Sequence, residues 1–162
     1  CMAPSKTFNL AGLAFSNIII RDPGLRARFK DRDKLFGMVN PMSLTAAKAA
    51  YDKGGSWHEA LKQYLDANFA FVKEFLAETL PEAVMYIPEP TYLAWVDMSK
   101  CLPDVEDLPS FFANNAGVLL EGGNALFVGN AAGYIRLNLA MPRSVIRTGL
   151  ERIRDAVRAY RG

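Results

Sequence analysis

The sequence predicts an α/β protein of the α+β type, in which amphipathic helices cover one small sheet. Apolar residues recur three and four positions apart over residues 57–80 and again over 146–160, which is the spacing of helices that bury one face. Between these helices, residues 91–98 alternate with the period of two expected of a half-buried strand, and an apolar strand follows glycine-rich turns at residues 134–140. Helices and strands in this order predict a layered fold.

Start and stop signals place the elements along the chain. Asp22 before a proline predicts a helix start, and Gly37 predicts its end after Phe36. Ser56, with Glu59 three residues later, predicts a capping box at the start of the longest helix. The predicted helices cover residues 23–36, 43–51, 56–80, 104–114 and 144–160, and the predicted strands cover residues 14–20, 84–88, 91–98, 118–120 and 134–140.

Composition excludes several classes of protein. The chain has 162 residues, 51% of them hydrophobic, which is enough for one core and for one domain or slightly more. No apolar run approaches the roughly 18 residues of a membrane span, and no signal peptide is evident. The 19 basic and 17 acidic residues are interspersed, which does not favour nucleic-acid binding. Cys1, Cys101 and the single histidine, His58, have no metal-site or disulfide spacing, so we expect no metal and a cytoplasmic protein.

Lys6 is the first candidate for chemistry, because it lies in a polar turn rich in Ser, Thr, Asn and Gly. Lysine forms Schiff bases, and a desolvated lysine can present the neutral amine that this reaction requires. The alternative is a solvated surface lysine, which is the commoner state of this residue. The spacing of residues around Lys6 leaves both interpretations open.

Arg136 is the second candidate, because it interrupts an apolar strand. A charged side chain at such a position either faces solvent or is paired. A guanidinium held on a rigid strand offers a planar fork that can bind a carboxylate through two hydrogen bonds. Arg143 competes for this role, but its place at the start of the last helix favours a structural ion pair or a surface position. The glycines at residues 122–133 lack the lysine and hydroxyl residue of a phosphate loop.

Four segments resemble a known family in the same order along the chain: residues 5–12 (SKTFNLAG), 15–20 (FSNIII), 88–95 (PEPTYLAW) and 134–144 (YIRLNLAMPRS). They resemble the class I/II aminotransferase superfamily of fold-type I pyridoxal-phosphate enzymes. Within that superfamily they are most similar to C–S lyases of the cystathionine β-lyase type. The resemblance covers essentially the whole chain.

The resemblance implies roles for three residues. Lys6 corresponds to the lysine that binds pyridoxal phosphate and then takes the Cα proton of the substrate. Ser5 corresponds to a hydroxyl near the cofactor phosphate, and Arg136 to the arginine that binds the substrate α-carboxylate. Two positions that serve the phosphate in some members of the family hold Ala3 and Ala14 here. Phosphate binding is therefore expected to depend on groups outside this chain.

The resemblance also implies an organisation and an activity. Residues 1–36 are expected to be the tail end of the cofactor-binding large domain with the interdomain helix, and residues 37–162 the C-terminal small domain. The chain is then the C-terminal portion of a homodimeric lyase that converts a sulfur amino acid to pyruvate, ammonia and a thiol, and by itself it is expected to be inactive or to associate with the missing N-terminal portion. The alternatives are an aminotransferase with the same lysine and a folded dimerisation module without chemistry.

Overall fold

The chain forms two compact units, Cys1–Lys62 and Gln63–Gly162. The structure is a computed structural model that describes residues 1–33, 38–126, 129 and 131–162. The predicted boundary between residues 36 and 37, and the helix end predicted there, lie outside the described residues. Among the helices of the described ranges, none is both long enough and apolar enough to cross a membrane.

The first unit is helical. Its elements are α1 (Pro4–Thr7), a short 3₁₀ turn (Ala11–Leu13), α2 (Pro23–Asp33), α3 (Pro41–Lys53) and the beginning of α4 (Gly55–Thr79). Asp22 accepts a hydrogen bond from the Leu25 backbone N–H at 2.6 Å, which confirms the predicted start of α2. Asn40 accepts one from the Met42 N–H at 2.8 Å, so α3 begins two residues before the predicted Ser43.

Two predictions for this unit are wrong. Residues 14–20 do not form a strand, because among the described residues only Met2 pairs with this segment, through a single bridge to Asn17. A strand needs a neighbour along its length to satisfy its backbone groups. The capping box at Ser56 is also absent. The carbonyl of Gly54 accepts from the N–H of His58 at 2.9 Å, so α4 begins at Gly55 and already includes Ser56. Glu59 instead pairs with Lys62 at 2.6 Å.

The second unit packs helices against a four-stranded antiparallel sheet of order β1-β2-β4-β3. Its elements after α4 are β1 (Val84–Met85), β2 (Leu93–Asp97), α5 (Leu108–Ala116), β3 (Glu121–Gly122), α6 (Gly123–Leu126), β4 (Tyr134–Asn138) and α7 (Arg143–Arg161). Helix α5 begins later than the predicted residue 104, because Asp107 caps it by accepting from the Ser110 N–H at 3.1 Å. The strand predicted at 118–120 is displaced to Glu121–Gly122, where the chain pairs with β4.

The sheet has one buried face. Ala94, Val96 and Ile135 point into the core, which confirms the alternation predicted for β2. The core residues from the two long helices include Phe69, Val72, Leu76, Ile146, Leu150, Ile153 and Val157. The predicted apolar stripes are therefore buried over most of their length. Their ends differ, since Trp57 and Tyr64 on α4 and Tyr160 on α7 are at least 40% exposed.

One buried amide connects α4 to the chain that leaves β4. Asn68 is fully buried, and its Nδ2 donates to the carbonyls of Leu139 at 2.9 Å and Met141 at 3.3 Å. Its Oδ1 accepts from Nε of Arg143 at 3.0 Å. A buried amide with both ends satisfied specifies one arrangement of its neighbours. Asn68 thereby sets how β4 passes into α7.

We expect Asn68→Ala to lower the free energy of unfolding by about 2 kcal/mol, because the substitution leaves a buried carbonyl and a guanidinium N–H without partners. Urea unfolding followed by circular dichroism and tryptophan fluorescence measures this loss. Asn115→Ala is the matched control, since Asn115 donates one exposed hydrogen bond to the Phe111 carbonyl at 2.9 Å. Equal losses for the two variants would contradict the role of Asn68.

Candidate functional site

Lys6 lies on α1, a single helical turn, within the segment that the sequence predicted as a polar turn. Its side chain is exposed, and within the described part of the chain its Nζ has no hydrogen bond or ion pair. The adjacent Ser5 is half-buried, and its carbonyl accepts from the Leu10 N–H at 2.9 Å. Asn9 follows with a positive φ of 55°, which turns the chain back after the helix. This segment therefore presents an accessible amine beside a hydroxyl.

Phe8 attaches this segment to the junction of α3 and α4. Its ring centroid lies 6.0 Å from that of Tyr51, 6.0 Å from that of Trp57 and 5.8 Å from that of His58. Gly54 permits the approach, because a Cβ there would lie 2.7 Å from Cε1 of Phe8. His58, predicted as a helix-surface residue, is half-buried by this contact. Sequence reasoning missed the positioning role of Phe8, for which the only signal was an aromatic residue within a polar segment.

Arg136 lies in the middle of β4, in a row of residues that crosses the sheet. Its backbone pairs with Trp95 on β2 and with Glu121 on β3. Nη2 of Arg136 donates to Oε2 of Glu121, and the exposed fractions of the two side chains are 25% and 54%. Nε of Arg136 is buried, and among the described residues it has no hydrogen-bond partner. The structure therefore pairs this arginine with a carboxylate and keeps it partly buried.

The same face of the sheet carries a second polar pair beside Trp95. Tyr134 stacks on Trp95 with ring centroids 5.5 Å apart, and in the strand register it lies opposite Asp97. Partial burial favours a higher pKa for Asp97, but hydrogen bonds from Ser99 outweigh it and lower the pKa. The charge of Asp97 then raises the pKa of Tyr134. At neutral pH the Asp97 carboxylate is ionised and the Tyr134 hydroxyl keeps its proton.

A cleft of about 480 Å³ lies between residues 117–120, the end of β4 and α7. Arg136 lines it together with apolar residues such as Leu137 and Val145, and the exposed Arg152 also lines it. The cleft can hold an apolar group, and a Cβ at Gly117, which lines it, would lie 3.8 Å from Nη1 of Arg152. This arrangement suits a small ligand that has a carboxylate and an apolar part.

Arg143 is half-buried, and among the described residues it makes hydrogen bonds and ring contacts in place of the ion pair or surface position that its place in the sequence predicted. Its Nε donates to Asn68, and its backbone N–H donates to the hydroxyl of Tyr64 at 2.9 Å. Its guanidinium lies over the rings of Tyr64 and Phe71, at 5.7 and 5.9 Å from their centroids. These contacts occupy the side chain in holding α7 to α4.

The candidate residues fall in different units. Lys6 and Ser5 belong to Cys1–Lys62, and Arg136 belongs to Gln63–Gly162. The exposed amine of Lys6 and the hydroxyl of Ser5 fit a group that has an aldehyde and a phosphate, since an amine condenses with the former and a hydroxyl donates to the latter. Among the residues described, no group of three His, Cys, Asp or Glu side chains is arranged to hold a metal ion, and Cys1 and Cys101 are both free thiols.

Comparisons with known proteins agree with this fold. The chain is 38% identical over 160 residues to cystathionine beta-lyase PatB of Bacillus subtilis (strain 168), covering 97% of this chain and 41% of that protein. It is similar to the pyridoxal-phosphate-bound C–S lyase from Staphylococcus hominis complexed with L-cycloserine, with a TM-score of 0.91 and 46% identity over 96% of this chain and 40% of the other. Cystalysin from Treponema denticola, which contains pyridoxal 5'-phosphate, matches with a TM-score of 0.90 and 36% identity over 98% of this chain and 40% of that chain. No family model matches.

Proposed function

We propose that the complete protein carrying this chain is a C–S lyase of the cystathionine β-lyase type. The premise is that the chain is homologous to the C-terminal part of fold-type I pyridoxal-phosphate enzymes. The chain spans 41% of the length of the curated relative PatB, so the activity belongs to a protein with the remaining elements of those enzymes. The observation that carries the proposal is the 46% identity to a pyridoxal-phosphate-bound C–S lyase over nearly the whole chain. The reaction is β-elimination from a cysteine thioether, which with one water yields a thiol, pyruvate and ammonia.

Lys6 is the proposed cofactor-binding and catalytic residue. Its amine is exposed and has no partner among the described residues, which supports covalent attachment to the aldehyde of pyridoxal phosphate through Nζ, and the neighbouring Ser5 is the proposed hydroxyl donor to the phosphate. The cofactor, when bound, supplies an electron sink for the negative charge that develops at Cα. Once its amine is free again, Lys6 takes the proton from Cα at Nζ.

Arg136 is the proposed residue for the substrate α-carboxylate. Its guanidinium already binds a carboxylate, that of Glu121, and its backbone is held on both sides by neighbouring strands. A guanidinium on a rigid strand fixes the orientation of a bound amino acid, because its planar donors match the two carboxylate oxygens. A cleft with apolar lining lies at the end of the same strand and has room for a small ligand.

The assembly of the complete protein is part of the same proposal. We expect a cytoplasmic homodimer in which residues 1–36 complete the large domain and residues 37–162 form the small domain. Exposed apolar side chains at Met38, Val39 and Met42 support burial of this region against further protein. Size-exclusion chromatography with light scattering on the complete protein measures its oligomeric state.

The second candidate function is that of an aminotransferase. An aminotransferase from Mycobacterium tuberculosis shares the fold, with a TM-score of 0.85 at 17% identity. Both reactions begin with removal of the Cα proton, so Lys6 and Arg136 have the same roles in each. They differ afterwards, because a lyase expels the thiolate from Cβ whereas an aminotransferase returns the proton to the cofactor.

We expect the complete gene product, loaded with pyridoxal phosphate, to release pyruvate and thiol in equal amounts from L-cystathionine. Pyruvate is measured with coupled lactate dehydrogenase, and the thiol with a chromogenic disulfide. Transfer of the amino group to 2-oxoglutarate without thiol release would identify an aminotransferase instead. Absence of both products would overturn the proposal. The 162-residue chain alone is expected to release no pyruvate.

A further inference from the structure

The ion pair between Arg136 and Glu121 occupies one of the donors that a substrate carboxylate would need. The two residues are direct neighbours across β3 and β4 and lie on the same face of the sheet. Nη2 of Arg136 donates to Oε2 of Glu121. In the described structure the guanidinium of Arg136 is therefore already paired with the carboxylate of Glu121.

The buried part of Arg136 restricts how any second carboxylate can bind. Nε is buried, so a ligand that arrives from solvent cannot use the edge of the fork that contains Nε. It has to bind through the Nη end of the guanidinium, and one of the two Nη groups is bound to Glu121. A bidentate pair of hydrogen bonds to a ligand carboxylate then competes with Glu121 for the same donor.

Displacement of Glu121 requires little free energy. More than half of the Glu121 side chain is exposed, so it can turn into water without burying its charge. Arg136 is three-quarters buried and benefits from keeping one carboxylate at all times, because an unpaired, partly desolvated guanidinium is unfavourable. When a ligand carboxylate replaces that of Glu121, Arg136 keeps a charged partner and the Glu121 carboxylate is hydrated by solvent.

We propose that Glu121 is an internal ligand that the substrate α-carboxylate displaces from Arg136, so that Glu121 sets the affinity for carboxylate substrates. This inference rests on the proposed role of Arg136. Glu121 neutralises Arg136 while the site has no ligand, and it weakens the binding of every carboxylate that enters. The opposite possibility is that Glu121 holds the guanidinium in the productive orientation, and in that case its removal weakens binding.

Two variants of the complete protein, Glu121→Gln and Glu121→Ala, distinguish a displaced internal ligand from a residue that orients the guanidinium. We expect each variant to lower KM for L-cystathionine about threefold to fivefold with kcat within about twofold, the size expected for a half-exposed ion pair. Isothermal titration with propionate, an unreactive monocarboxylate, should show the same gain in affinity and does not depend on turnover. Glu78→Gln is the matched control, since it makes the same chemical change at an exposed position of α4.

Arg136→Leu distinguishes a failure of the inference about Glu121 from a failure of the proposed role of Arg136. If it abolishes propionate binding while the Glu121 variants bind propionate no better than the unaltered protein, or bind it worse, Arg136 is a carboxylate site and the inference about Glu121 is wrong. If Arg136→Leu leaves propionate binding unchanged, the proposed role of Arg136 fails as well. Tighter binding in both Glu121 variants that is lost when Arg136→Leu is added supports the inference.

Discussion

Lys6→Ala in the complete protein is expected to lower kcat/KM by at least about 10³-fold, because the substitution removes the residue proposed to attach the cofactor and to take the Cα proton. The exposed side chain makes few contacts within the described residues, so the free energy of unfolding should change little. A direct measurement is reduction with borohydride followed by peptide mass spectrometry. The unaltered protein should carry reduced cofactor on the peptide that contains Lys6, and the variant should carry none.

Lys30→Ala is the control for this prediction, because Lys30 is an exposed lysine on α2 of the same unit. It should keep both the activity and the labelled Lys6 peptide. Lys6→Arg retains the positive charge but cannot form the Schiff base at neutral pH, since the guanidinium stays protonated. Cofactor attached to another lysine in the unaltered protein, or full activity of Lys6→Ala, would show that the role assigned to Lys6 is wrong.

Arg136→Leu is expected to lower kcat/KM for L-cystathionine by about 10²-fold, mainly through a higher KM, because it removes the proposed charged hydrogen-bonding partner of the substrate carboxylate. Arg136→Lys should recover only part of the loss, since an ammonium keeps the charge but lacks the planar fork. Steady-state kinetics of both variants measure the effect. Urea unfolding shows whether the loss of the Glu121 pair also affects stability.

Arg152→Leu is the matched control, because Arg152 lines the same cleft from α7 and is exposed. Its KM should stay within about twofold of the unaltered protein, as expected for an exposed charge that does not bind the substrate. A larger rise in KM for Arg152→Leu than for Arg136→Leu would move the carboxylate site to α7. An equal effect of both substitutions on kcat alone would point to a change in the fold of the cleft.

Local signals explain the parts of the fold that could be predicted from the sequence. The apolar stripe of α7 and the alternation of β2 are read from neighbouring residues, and each is buried as predicted because the period of the element fixes which side chains share a face. Asp22 caps α2 as predicted, since a cap involves only the next few residues. The candidates Lys6 and Arg136 could be named from the sequence because the segments around them are short and distinctive.

The sequence by itself therefore determined the fold class, most of the elements and the candidate residues Lys6 and Arg136. Only the tertiary structure decided that Glu121 binds Arg136, that Phe8 packs on the α3 and α4 junction, and that residues 14–20 form a single bridge in place of a strand. These features depend on which distant segments meet and in which register. A period or a cap is encoded within a few neighbouring residues, whereas a contact between distant residues is settled only when the whole unit packs.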